Sequence, residues 1–109
     1  MSRAKGDVAE EIAYSHLLEA GFIIVERNFY SRFGEIDIIA IKDEVLHFVE
    51  VKSALDYELA VQNITKAKLS KLIRTGDMYL KKNSLHCDYM YDALIVTPHK
   101  IWHLENITI

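Results

Sequence analysis

The residue types most able to do chemistry in this chain are Asp37, Glu50 and Lys52, carried by two neighbouring apolar runs, Glu35-Ile36-Asp37-Ile38-Ile39-Ala40-Ile41 and Val45-Leu46-His47-Phe48-Val49-Glu50-Val51-Lys52. Both runs are rich in β-branched and aromatic residues and read as strands. The polar pair Asp43-Glu44 between them fits a tight hairpin turn, although neither residue is the glycine that primed turns favour. With those two residues at the turn, Lys42 faces Val45, Ile41 faces Leu46, Ile39 faces Phe48, Asp37 faces Glu50 and Glu35 faces Lys52. One face of the hairpin is then apolar near the turn and charged at its far end. The other face, with Ile36, Ile38, Ala40, Val49 and Val51, is nearly all apolar, as expected of strands covered on both sides.

Two carboxylates directly opposite one another in a sheet repel, and burial beside Ile39 and Phe48 enlarges that cost. A hard divalent cation, Mg²⁺ or Mn²⁺, held by both would remove the repulsion and leave positions for a phosphate. Lys52 lies two residues beyond Glu50, roughly 6.5–7 Å along the same face. An ammonium there can orient or deprotonate an attacking water, or stabilise charge developing on phosphorus-bound oxygen. The competing reading is plain: Glu50 and Lys52 as solvated charges at a sheet end, with Glu35 and Lys52 a surface ion pair worth little.

The elements that must position these residues follow from periodicity. Residues 7–20 place Ala9, Ile12, Ala13, Leu17 and Ala20 on one side of a helix, and Gly21 stands where a C-terminal cap belongs. Residues 22–29 read as a first strand. Leu69, Leu72, Ile73, Gly76 and Leu80 give a helix over 65–81, and strands over 89–96 and 100–104 flank the turn at Pro98. Residues 54–64 show no clear periodicity and read as a loop or a short irregular segment. The order αβββαββ describes an α/β fold with a mixed central sheet flanked by two helices.

At 109 residues, half of them hydrophobic, the chain suits one domain, 1–109. Its single cysteine, Cys87, excludes an internal disulfide. No apolar stretch reaches the roughly 18 residues of a membrane span, and the first residues do not form a signal-peptide core, so the expectation is a cytoplasmic protein with no membrane partner. The net charge of −3 argues against broad nucleic-acid coating. The charge is uneven, however: Lys66, Lys68, Lys71, Arg74, Lys81 and Lys82 meet only Asp77, whereas Glu10, Glu11, Glu19 and Glu26 make the first segment acidic. A local basic face on an acidic body fits an enzyme that touches phosphates on one side.

Other residues carry two readings each. Glu10 follows Asp7 by three positions and fits a capping box, yet it also borders the apolar stripe, from which it could reach a neighbouring site. Lys68 and Lys71 project together and could hold backbone phosphates, or form an ordinary solvated face. Arg27 and Arg32, near the turn at Gly34, invite the same pair of readings. Tyr79, Tyr89, Tyr91 and Trp102 could stack on bases, but core packing is the stronger expectation. Asp92 could support the site from a late strand. His16, His47, His86, His99 and His103 have no metal-ligand spacing with Cys87, which argues against a zinc site.

Gly34-Glu35-Ile36-Asp37-Ile38-Ile39-Ala40 followed by Phe48-Val49-Glu50-Val51-Lys52 resembles the core of the PD-(D/E)XK nuclease superfamily, and more closely that of the YraN-like bacterial proteins. Gly6-Asp7-Val8-Ala9-Glu10 with Ala13, Arg27-Asn28, Thr65 with Lys68 and Lys71, and Tyr91-Asp92 extend the resemblance over nearly the whole chain, in the same order. Ile36 stands where the superfamily's name has proline, and 55–59 lacks the glycine expected in the loop there. The resemblance implies a restriction-endonuclease-like fold, related to archaeal Holliday-junction resolvases, and a metal-dependent endonuclease acting on phosphodiester bonds of nucleic acid, DNA above all. It implies Asp37, Glu50 and the Val51 carbonyl as metal ligands, Lys52 as the catalytic lysine and Glu10 as a further carboxylate near the metal. Lys66, Lys68, Lys71 and Arg27 are then the expected nucleic-acid contacts, and a homodimer is compatible with the family. The alternative is a catalytically silent module of the same fold that binds nucleic acid or protein.

Overall fold

The structure, a computed structural model, describes the backbone of residues 3–108 and the side chains of residues 8–108. In chain order its elements are α1 (Arg3–Glu19), β1 (Ile23–Ser31), β2 (Gly34–Lys42), β3 (Val45–Ser53), α2 (Tyr57–Gln62), α3 (Lys66–Lys82), β4 (Asp88–Val96) and β5 (Ile101–Leu104). The five strands form one sheet in the order β1-β2-β3-β4-β5, antiparallel throughout except for the parallel pair β3 and β4. A parallel pair cannot be joined by a tight turn, and the crossover that joins this one carries α2 and α3.

The hairpin between β2 and β3 turns at Asp43 and Glu44, whose φ values of +51° and +66° are those of a primed turn made without glycine. The resulting register pairs Lys42 with Val45, Ile41 with Leu46, Ala40 with His47, Ile39 with Phe48 and Ile38 with Val49, as the sequence predicts. One face of the sheet packs Ile38, Ala40, Val49, Leu94 and Val96 against Ala9, Ala13 and Leu17 of α1. The other packs Ile39, Leu46, Phe48 and Tyr91 against Leu72 and Tyr79 of α3.

Strict alternation fails at one place. Ile36 belongs to the α3 side and Ile38 to the α1 side, so the predicted shared face for these two residues is corrected across Asp37. The paired strand does the same: Arg27 lies over Tyr14 of α1, whereas Phe29 meets Tyr79 of α3 at 5.1 Å. Between them Asn28 has φ +55°, a left-handed conformation that asparagine tolerates better than most residues, and Phe29 pairs with Ile36. Both strands therefore turn over together beside Asp37.

Two departures from the periodicity are larger than one or two residues at an element end. α1 begins at Arg3, which puts Asp7 inside the helix rather than at its cap; the Asp7 side chain of the expected capping box lies outside the described residues. Residues 54–64, read as a loop or a short irregular segment, contain α2, whose N-cap Asp56 accepts the Leu59 amide at 2.9 Å. Six helical residues are too few to display a stripe. α3 has its own N-cap, Thr65, and approaches the sheet closely at Gly76, where a Cβ would lie 2.3 Å from the Tyr91 hydroxyl. That hydroxyl donates to the Ile73 carbonyl at 3.1 Å, fixing α3 to β4.

Candidate active site

Beyond Ile38 and Val49 the recorded ladder between β2 and β3 ends. Here the Val51 amide donates to Asp37 Oδ2 at 2.7 Å, so a side chain takes a backbone donor of β3. Asp37 is 7% exposed and lies in hydrogen-bonding contact with Glu50. Burial first, then the hydrogen bond and the charge of Glu50, push its carboxyl up to about 8, against the opposing pull of the Val51 amide and Lys52. Near neutral pH the pair therefore carries one proton that two ordinary carboxylates would have lost.

The pair opens into a cleft of about 310 Å³ lined by Gly34, Glu35, Asp37, Glu50, Val51, Lys52, Lys68, Lys71 and Leu72. The fold thus brings Asp37, Glu50, Val51 and Lys52 together at the open end of the hairpin and sets Lys68 and Lys71 of α3 across from them. Two carboxylates and a strand carbonyl form an all-oxygen donor set, which suits a hard divalent cation. The other candidates are not among the residues that line this cleft. Glu10 is half-buried on α1 and outside this lining, and Lys66 is exposed at the start of α3. Arg27 is ion-paired with Glu11 and stacked 4.6 Å from the Tyr14 ring centroid, so it holds β1 to α1 on the other face. Tyr79 and Tyr91 are core residues, as expected, while Tyr89 is exposed and Trp102 packs on Tyr57.

Asp92 does not support this cleft. It is fully buried, and its Oδ2 accepts from His47 Nδ1 at 2.6 Å and His103 Nε2 at 2.7 Å while its Oδ1 accepts the Asn106 amide at 3.1 Å. Burial pushes this carboxyl up, but the hydrogen bonds from His103, His47 and Asn106 outweigh that and hold it below the ordinary range. Linear spacing did not reveal this cluster, because its members come from three strands.

Residues 9–96 match the Uncharacterised protein family UPF0102, the YraN-like family. The chain belongs to that family. Among UPF0102 proteins it is 79% identical to one from Sulfurimonas denitrificans over 109 residues, covering all of both chains, and 54% identical to one from Aliarcobacter butzleri, covering 99% of each. Among solved structures it is similar to Archaeoglobus fulgidus Hjc, a Holliday junction resolvase from an archaeal hyperthermophile. That match has a TM-score of 0.60 at 17% identity and covers 88% of this chain and 72% of the resolvase. At that identity the likeness shows the fold alone: this UPF0102 member shares the α/β architecture of that resolvase, a five-stranded mixed sheet between helices.

Proposed function

We propose that this protein is a divalent-metal-dependent endonuclease that hydrolyses phosphodiester bonds in nucleic acid, DNA in the first instance. The observation that carries the reading is the buried Asp37 carboxyl paired with the half-buried Glu50 beside Lys52, in a cleft that Lys68 and Lys71 also line. Asp37, Glu50 and the Val51 carbonyl would hold Mg²⁺ or Mn²⁺. When bound, such an ion supplies Lewis acidity toward a phosphate oxygen. Asp37 must release its proton for that, which the ammonium of Lys52 favours. Lys52 orients the attacking water and stabilises the charge that grows on the phosphate. Lys68 and Lys71 neutralise the flanking backbone and fix its position without reading bases. Lys66 extends the same basic flank. The protein acts as one domain in the cytoplasm; among the described residues no helix is long and apolar enough to cross a membrane. A homodimer is compatible with this assignment.

The direct test is incubation of purified protein and Mn²⁺ or Mg²⁺ with single-stranded, duplex and four-way-branched DNA and with RNA. Cleavage that Lys52→Ala reduces by about 10²-fold or more supports the assignment, since loss of one transition-state donor costs that much. Intact substrates under all conditions refute it. One observation favours a second reading, a catalytically silent module that binds nucleic acid or protein: a protonated Asp37 satisfies Glu50 by hydrogen bonding, so the pair can persist without any ion. Tight DNA binding with no cleavage would select that reading.

A further inference from the structure

A second constellation of metal-binding side chains lies on the α1 face of the sheet, independent of the nuclease assignment. β3 contributes His47, β4 contributes Asp92, β5 contributes His103, and Glu105 follows directly after β5. One ligand atom from each of the four residues falls within 4.8 Å of the others. We propose that His47, Asp92, His103 and Glu105 form a binding site for a borderline transition-metal ion of the Zn²⁺ class, distinct from the all-oxygen cleft at Asp37 and Glu50.

Three features support the assignment. The donors are two imidazole nitrogens and two carboxylate oxygens, a set that suits Zn²⁺ and discriminates against Mg²⁺, which favours oxygen alone. The carboxylates of Asp92 and Glu105 converge on the same point, and Glu105 Oε2 is 3.9 Å from His47 Nδ1. A shared cation relieves the repulsion between them. The segment that carries Glu105 is also fixed: Asn106, with φ +58°, donates its amide to Asp92 Oδ1, and the Ile107 amide donates to the Tyr91 carbonyl at 2.8 Å. The Asn106 bond orients the carboxylate from behind, as groups supporting metal ligands do. Phe22 walls the site, with its ring 4.9 Å from His47 and 5.5 Å from His103. The half-exposed Glu105 leaves a path from solvent.

In the ion-free state both histidines donate to Asp92 Oδ2, and the carboxylate is satisfied. Around a tetrahedral ion with bonds of about 2.0–2.1 Å, donors stand roughly 3.3–3.4 Å apart. Binding therefore replaces the two short hydrogen bonds and opens them by about 0.7 Å.

The test is calorimetric titration of chelator-stripped protein with Zn²⁺, together with the visible spectrum of the Co²⁺-substituted form. The expected result is one equivalent of Zn²⁺ bound, with Co²⁺ absorption of a four-coordinate N/O site. His103→Gln should weaken binding by about 100-fold or more, beyond the 10–100-fold cost of losing a group that only supports a ligand. Glu105→Gln, at an exposed position where folding is safe, should weaken it about tenfold. The double variant Asp37→Asn, Glu50→Gln should bind Zn²⁺ as the parent does. The site is refuted if no saturable equivalent binds, if both His103→Gln and Glu105→Gln bind undiminished, or if the double cleft variant abolishes binding.

Discussion

Replacing Asp37 with asparagine should make the metal-free protein more stable, and by an amount that grows with pH. Asparagine imitates the neutral acid: its oxygen can accept the Val51 amide and its amide can donate to Glu50. The difference between the two proteins is then the cost of Asp37 ionisation. In the fold the carboxyl takes up its proton at about 8, whereas in the unfolded chain it does so near about 3.9. The folded state thus binds the extra proton between those values. Its stabilising contribution is fully present below about pH 4 and is lost as pH rises through about 8. At about 1.36 kcal/mol per pH unit the loss by pH 7 has an upper limit near 4 kcal/mol, and structural relaxation lowers it to roughly 2–4 kcal/mol. For 109 residues an unfolding entropy of about 0.23 kcal/mol/K makes that roughly 9–17 °C in Tm. Thermal denaturation of both proteins in chelator at pH 5, 7 and 8.5 measures it: the variant should lead by a few degrees at pH 5 and by its full margin at pH 8.5. Mn²⁺ at about 100 times its Kd should add about 2.7 kcal/mol to the wild type and nothing at this site to the variant. A gap that is flat with pH, or a variant less stable than the wild type at pH 8.5, would refute the proton-sharing pair.

Three further outcomes follow from the geometry. Lys68→Ala with Lys71→Ala should lower the slope of log K against log salt for duplex DNA by roughly 1.8, since each neutralised phosphate contributes about 0.9; an unchanged slope removes these lysines from the interface. Glu44→Gly should stabilise the protein by about 1 kcal/mol, measured by urea denaturation, because residue 44 holds φ +66° without glycine's freedom. Gly76→Ala should destabilise by about 1–3 kcal/mol despite alanine's better helix propensity, because the Tyr91 hydroxyl occupies the space its Cβ would need.

The register of the central hairpin was legible because turn chemistry and two-residue alternation point to the same pairing from Lys42 and Val45 inward. Alternation was also the source of the error at Ile36, since nothing in the run from Glu35 to Ile41 marks the turnover. The available signal lay on the partner strand, where Asn28 is the residue in β1 most tolerant of a left-handed backbone. Asp56 followed by Glu58 was a usable start signal for α2, but its single turn and a half carries no period to reinforce it. The convergence of His47 and His103 on Asp92 was not legible for a topological reason. They lie 45 and 11 residues from Asp92, and only the parallel pairing of β3 with β4 and the short return of β5 bring them to one carboxylate.

Asp37 and Asp92 are both buried in the same sheet, and their opposite behaviour separates the two proposed sites by cause. Burial alone would raise both carboxyls. Asp37 shares a hydrogen bond with Glu50 and has one amide donor, so it retains a proton near neutrality and a cation has only that proton to displace. Asp92 has three N–H donors, so it is already ionised and an incoming ion must replace two hydrogen bonds. Imidazole nitrogens can make that exchange for Zn²⁺, to which they bind directly, and have little to offer Mg²⁺. The cleft should therefore gain affinity for Mg²⁺ or Mn²⁺ as pH rises through about 8, while the histidine cluster selects its ion by softness. Isotherms for Mg²⁺ and Zn²⁺ on the same protein at pH 7 and 8.5 separate these demands. A shared dependence on the Asp37–Glu50 pair for both ions would show that only one site exists.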